Sequence, residues 1–244
     1  MEPPLNLGAM AVIAAVLGYF LILADAGNAQ GTALGQGNSA NYELLTPQGA
    51  GPFLAVVVMH GCDGVKENTR RWAARLVGWG YAALIVDSFR SRGLSNICGN
   101  GGLLPPSVRA HDAIEAKNYL RSLPNFAKGR IGLIGFSHGG GAALAASTWS
   151  GAGFGAVVAF YPWCTANRPS NALVLIGSAD DWTPSSRCRG GAGMNLKVYP
   201  GATHAFDAPR PERTYFGHHL AYDAAAAADA IVRTHRFLSS RLGR

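Results

Sequence analysis

The 244-residue sequence predicts an α/β domain built on a mostly parallel sheet with helices on both faces. Three observations carry this prediction. Short, continuous apolar runs alternate with helical patterns from about residue 50 onward. These runs lack the polar alternation of a sheet wetted on one side, so they belong to strands covered on both faces. The conspicuous polar residues all fall just past the carboxyl ends of the runs, which is where ligands bind in sheets of this kind.

Leu54–Met59 is a β-branched run that ends at His60-Gly61. Asn68–Trp79 carries Trp72, Leu76 and Trp79 at helical spacing, with Asn68 or Thr69 as its cap and Gly80 as its stop. Tyr81–Val86 is a second strand, ending at Asp87 and followed by a Gly-rich loop with Arg90, Arg92 and Cys98. Ser107 opens a helix that runs to about Leu123 and is ended by Pro124. Ile131–Phe136 is the third strand, and Gly139–Ser147 forms a helix of small residues after Ser137. Three more strands follow at Ala156–Tyr161, Ala172–Gly177 and Leu196–Tyr199, and a terminal helix spans Tyr222–Leu242.

Charged residues are 14% and apolar residues 48% of the chain, which excludes a disordered tail or a coiled coil. The formal charge is +7, but the arginines are scattered rather than gathered with aromatics on one element, so no nucleic-acid partner is expected. Leu7–Ala24 is uncharged and mostly apolar, and small-x-small sites follow at Ala24-Asp25-Ala26 and Gly27-Asn28-Ala29. Residues 1–29 therefore read as a secretory signal, with an uncleaved membrane tether through residues 7–24 as the rival, and residues 30–244 as the domain. The expected location is exported, periplasmic or secreted, or else membrane-anchored. The cysteines are Cys62, Cys98, Cys164 and Cys188. None forms a C-x-x-C and no His lies at zinc-ligand spacing, so no metal site is expected. A Cys98–Cys188 bridge is one reading and four unpaired thiols the other.

Gly135-Phe136-Ser137-His138-Gly139 is a G-x-S-x-G placed between a strand and a small-residue helix. The glycines let backbone crowd a sharp turn, which presents the Ser137 hydroxyl at the tip of the sheet and at a helix amino terminus. A serine needs a base. Of seven histidines, His204 lies in the loop directly after the last strand and is the best base by position. A carboxylate must then hold the imidazole. Gly177-Ser-Ala-Asp-Asp-Trp-Thr-Pro184 offers Asp180 and Asp181, one of which would serve the turn instead. Trp163 and Trp182 follow strand ends and are candidates to line the acyl site.

The sequence resembles the dienelactone hydrolase family of α/β-hydrolases from about residue 50 to 240. The resemblance is carried by His60-Gly61-Cys62-Asp63-Gly64, Gly80-Tyr81, Asp87-Ser88-Phe89 with Arg92-Gly93, the Gly135–Gly139 pentapeptide, Gly177-x-x-Asp180-x-x-x-Pro184 and Ala202-x-His204-Ala205-Phe206. It implies the α/β-hydrolase fold, selects Asp180 over Asp181, and places the base on His204. It also implies oxyanion donors at the backbone N–H groups of Cys62 and His138. The archetypes carry a cysteine nucleophile and an adjacent glutamate where this chain has Ser137 and Gly61, which points to a serine esterase relay. Their arginines bind a substrate carboxylate; Arg90, Arg92 and Arg210 lie near the corresponding places, and Arg92 is carried as a candidate substrate contact.

The expectation is thus a hydrolase of small-molecule carboxylic esters or lactones that works through Ser137, His204 and Asp180 without a cofactor. A peptidase or amidase on the same scaffold, or a noncatalytic binding protein, are the alternatives. Oligomeric state is not legible.

Overall fold

The structure, a computed structural model, describes residues 41–164, 171–188 and 195–243. The expected signal or tether over residues 7–24, and the start of the domain at residue 30, lie outside the described residues.

Seven strands form one sheet. They are β1 (Tyr42–Leu45), β2 (Ala55–Met59), β3 (Ala82–Val86), β4 (Ile131–Phe136), β5 (Phe154–Phe160), β6 (Ala172–Gly177) and β7 (Asn195–Tyr199). Their spatial order is β1-β3-β2-β4-β5-β6-β7. Every pairing is parallel except β1 on β3. β2, β3, β4 and β6 are buried at every residue, as their unbroken apolar composition requires of strands covered on both sides.

The described residues form four α-helices, α1 (Glu67–Gly78), α2 (Pro106–Ser122), α3 (His138–Thr148) and α4 (Ala224–Leu242). α2 packs on α3 over β2 to β5, while Trp79, the residue that caps the end of α1, stacks on His235 of α4 at 4.5 Å on the other face. α1 buries Trp72, Ala73, Leu76 and Val77, one helical stripe. α3 has no polar face: Gly139 to Leu144 are all buried, because this helix is wedged between the sheet and α2. Asp223 caps α4 by accepting from the Ala226 N–H at 2.9 Å.

Three expectations change. α1 begins at Glu67 with Lys66 as its cap residue; the Asn68 amide instead donates to Asp207 at 3.0 Å, so neither Asn68 nor Thr69 caps the helix. Two elements were not foreseen: the antiparallel edge strand β1, and the hairpin β8 (Arg213–Tyr215) with β9 (His218–Leu220). The bridges are Cys62–Cys98 and Cys164–Cys188, with Cα separations of 4.8 and 5.2 Å. The expected Cys98–Cys188 pair is excluded because the loop after β3 folds back onto the loop after β2, where Cys98 meets Cys62 and the Ile97 N–H donates to the Cys62 carbonyl at 2.8 Å.

Candidate active site

The carboxyl ends of β2, β4, β5, β6 and β7 deliver the site. β4 ends at Phe136, and Ser137 turns the chain into α3 with φ 53° and ψ −116°. A non-glycine residue there is strained. The turn is possible because its flanks are bare. A Cβ at Gly135 would lie 2.2 Å from the Gly139 carbonyl oxygen, and one at Gly139 would lie 2.3 Å from the His60 carbonyl oxygen. The Ser137 N–H donates to the Phe160 carbonyl at 2.9 Å, which ties the strained residue to β5.

His204, in the loop after β7, sets Nε2 2.9 Å from Ser137 Oγ and Nδ1 2.8 Å from Asp180 Oδ2. Asp180 lies in the turn after β6. Its Oδ1 accepts from the N–H groups of Trp182 at 3.0 Å and Thr183 at 2.8 Å, and its Oδ2 accepts from the Thr183 hydroxyl at 2.8 Å. Both histidine and carboxylate are buried, at 3% and 4% exposure, so water does not compete for this chain of bonds. An imidazole so placed can take a proton from the hydroxyl while the carboxylate holds its tautomer. Asp181 is exposed and faces His218 Nδ1 at 3.3 Å, away from His204.

The His204 ring lies between Tyr161 and Trp182, with centroids 4.7 and 5.0 Å away. Tyr161 donates its hydroxyl to Asp207 at 2.7 Å, and burial together with that carboxylate pushes the phenol pKa well above its usual value. Asp207 also accepts from Trp72 Nε1 at 2.6 Å and from Asn68 at 3.0 Å, so the loop that carries His204 is anchored to α1 and to the end of β5.

A cavity opens over Ser137 and His204. Gly61, Cys62, Tyr161, Trp182, Tyr215 and Leu220 form its walls, and Asp63, Lys66, Glu67, Arg71, Arg210 and Arg213 its polar lining. His138 is the first residue of α3, so its N–H has no acceptor within the helix. The loop carrying Cys62 passes Ser137 closely: a Cβ at Gly61 would lie 3.9 Å from Ser137 Cβ. Among the described residues no group of three or more His, Cys, Asp or Glu side chains is placed to share a metal ion.

Two candidates sit elsewhere. Arg92 does not line the cavity. Its guanidinium forms a two-pronged pair with Asp112 of α2 at 2.9 and 2.8 Å and donates to the Ser88 carbonyl at 2.6 Å. Trp163 does not line it either. The Cys164–Cys188 bridge brings Arg187 over its ring at 3.9 Å, on the surface. Trp182 and Arg210 do face the cavity. Thr183, Tyr161 and Arg109 were not singled out as site residues from sequence, and Asp207 was weighed only as a poorer candidate for the acid, being too close in sequence to His204. Only Thr183 carries a local signal, as the third residue after Asp180 in a turn.

Among curated proteins none matches this chain. Solved structures with the same architecture include a dienelactone hydrolase-like promiscuous phosphotriesterase, P91, from metagenomic libraries. It is 23% identical, with 83% of this chain and 92% of that one covered and a TM-score of 0.64. A dienelactone hydrolase from Anabaena variabilis is 21% identical over 82% and 91%, with a TM-score of 0.56. MGS-M1, an α/β hydrolase from a Medee basin deep-sea metagenome library, is 16% identical over 87% and 96%, with a TM-score of 0.61. At these identities the likeness shows the α/β-hydrolase fold. The dienelactone hydrolase family itself matches residues 42–242, from the first strand to the end of the last helix. The chain therefore belongs to the dienelactone hydrolase family and is a hydrolase of the α/β-hydrolase superfamily.

Proposed function

We propose that the protein hydrolyses small carboxylic esters or lactones through an acyl-enzyme on Ser137. The observation that carries this reading is the continuous line Ser137 Oγ–His204 Nε2, 2.9 Å, and His204 Nδ1–Asp180 Oδ2, 2.8 Å, at the floor of an open cavity. Ser137 Oγ bonds to the acyl carbon while its proton passes to His204 Nε2. The carbonyl electron pair moves to oxygen, facing the N–H groups of Cys62 and His138. Collapse of that oxyanion breaks the bond to the alcohol oxygen, which takes the proton from His204. Water then attacks the acyl carbon, giving its proton to His204, and the acid leaves as Ser137 recovers its proton. Asp180 keeps Nδ1–H pointed at itself throughout, so Nε2 is the free base.

Ser137→Ala is expected to abolish p-nitrophenyl acetate turnover and fluorophosphonate labelling, with an unchanged circular dichroism spectrum. Full turnover by the purified variant rejects the assignment.

Export is part of the same proposal. It is supported by the apolar segment over residues 7–24 and by two disulfides, which persist in oxidising compartments. Sequencing the mature amino terminus separates a cleaved signal from a retained tether; cytosolic protein with four free thiols counts against both.

A further inference from the structure

Arg109, on the inner face of α2, is 0% exposed, and no carboxylate among the described residues is hydrogen-bonded to it. The nearest acid on its own helix, Asp112, is held by Arg92. Arg109 donates instead to two loops that meet at Ser137. Nη2 donates to the His60 carbonyl at 2.7 Å, two residues before Cys62. Nη1 lies 3.0 Å from Nδ1 of His138, the residue after Ser137.

Donor bookkeeping fixes both imidazoles. A guanidinium only donates, so His138 Nδ1 accepts and its Nε2–H donates to the Gly101 carbonyl at 3.1 Å. A backbone N–H only donates, so His60 Nε2 accepts from Ser88 at 3.2 Å and the ring's one proton sits on Nδ1, donating to the Gly61 carbonyl at 2.7 Å; Arg109 Nη2, 3.3 Å from Nδ1, therefore directs its hydrogen to the His60 carbonyl. Both rings are neutral. Burial, followed by the charge of Arg109, lowers the His138 pKa to about 4 and that of His60 well below its usual value.

The bond to Gly61 has a geometric consequence. The Gly61 carbonyl and the Cys62 N–H belong to one planar trans peptide and point in opposite directions. Holding the carbonyl toward His60 turns the N–H away from it. His138 is likewise held at both ring nitrogens, and the peptide between Ser137 and His138 is held at its carbonyl, which accepts from the Gly141 N–H at 3.0 Å. Packing alone needs no charge in this place, because an aliphatic side chain fills similar volume without the cost of burying a cation. A cation behind two amides is useful where negative charge develops in front of them.

We propose that Arg109 is a positioning residue of the oxyanion hole, bracing the Cys62 and His138 amides through His60 and the His138 ring while its charge favours the oxyanion. This rests on the serine-hydrolase reading above. The test compares wild type with Arg109→Met, Arg109→Lys, His138→Leu and His138→Gln. Readouts are kcat and KM on p-nitrophenyl acetate and Ki for an aliphatic trifluoromethyl ketone, which adds reversibly to a serine and leaves an oxyanion. Arg109→Met is expected to lower kcat about 10- to 100-fold and weaken the ketone by a similar factor, with KM changed less than about threefold. Arg109→Lys recovers part of both. A merely structural role lowers the melting temperature without separating Ki from KM. If Arg109→Met does not fold, the His138 pair decides. His138→Leu should lose at least about tenfold in kcat, and His138→Gln, which keeps an acceptor for Nη1, clearly less. Folded variants within threefold of wild type in kcat and Ki overturn this inference alone. A folded wild type inert to both probes overturns the esterase reading and this inference with it.

Discussion

Asp207 should be the most destabilising single site outside the proposed Ser137–His204–Asp180 relay. Its buried carboxylate accepts from Trp72 Nε1 at 2.6 Å, the Tyr161 hydroxyl at 2.7 Å and the Asn68 amide at 3.0 Å. In Asp207→Asn the volume is kept and the amide oxygen can still accept from Trp72 and Asn68, but the charge is lost and the amide NH2 replaces the oxygen that accepts from the Tyr161 hydroxyl. Each hydrogen bond to a charged acceptor contributes about 1.5–3 kcal/mol, yet removing the charge also relieves its desolvation, so the contributions do not simply add. The two bonds that remain fall from charge-assisted to neutral, about 1–1.5 kcal/mol each, and the donor set against Tyr161 adds about 1–2 kcal/mol, about 3–5 kcal/mol in all. For a domain of this size that is a fall of about 6–20 °C in Tm. Trp72→Phe removes one donor and should cost about 1.5–3 kcal/mol. Because the two residues share a bond, the double variant should lose less than the sum by at least about 0.5 kcal/mol. Urea unfolding of the four proteins measures the cycle. Since Asp207 lies three residues after His204, and Tyr161 flanks the His204 ring at 4.7 Å, kcat should fall together with stability. An Asp207→Asn protein within 1 kcal/mol of wild type, or strictly additive variants, refutes the reasoning.

Asp180→Asn keeps the turn but lets His204 adopt the wrong tautomer; kcat should fall by about 10⁴, as measured by ester turnover, and a fall under tenfold removes Asp180 from its role. His138 should make stability pH-dependent. Its folded pKa, about 4, lies below the unfolded 6.5, so its contribution is complete above pH 6.5 and is lost as pH falls toward 4. That is up to about 3 kcal/mol at 1.36 kcal/mol per unit, with His60 acting in the same direction. His138→Gln should flatten the decline in Tm between pH 6.5 and 4.5, and an unchanged decline contradicts it. The Cys62–Cys98 and Cys164–Cys188 bridges close segments of 36 and 24 residues, so each should contribute about 3–4 kcal/mol. Cys62→Ser with Cys98→Ser should lower kcat as well as Tm, because Cys62 lines the cavity, whereas loss of the second bridge should lower Tm more than kcat.

What could be read in the sequence was what short-range physics writes there. Uninterrupted apolar runs announced β2 to β6, Leu196–Tyr199 marked β7 despite Lys197, and the bare flanks of Ser137 announced a turn that would clash with any side chain at 135 or 139. β1 escaped because Tyr42–Leu45 is four residues long and only one of them is buried, so it carries no apolar run. The β8–β9 hairpin escaped for a related reason: its strands are three residues each and mostly not buried. Arg92 was misplaced because a sequence shows a cation's position but not its counter-ion, and Asp112 waits one helix away. Arg109 and Asp207 were invisible as positioning groups because their partners lie 29 to 139 residues distant along the chain.

These long-range tethers address a problem that the proposed active site itself creates. Four described non-glycine residues have positive φ, and three of them are at the site: Ser137 at 53°, Tyr161 at 37° and Ala205 at 57°. Such conformations cost about 1–3 kcal/mol each, so together they approach the whole margin by which an ordinary domain stays folded. Each is held by bonds from outside its own loop or by its neighbours' fixed positions. Ser137 N–H reaches the Phe160 carbonyl, Tyr161 N–H reaches the Leu175 carbonyl at 2.7 Å, and Ala205 lies between His204, bound to Asp180, and Asp207, bound to α1 and β5. The strain and its restraints are thus arranged in series across β4, β5, β6 and the loop after β7. Loosening one restraint lets its residue relax out of the reactive geometry. Variants of the supporting residues should therefore lose kcat and stability together, while substitutions on the exposed face of α4, which holds no strained residue, should affect neither by much.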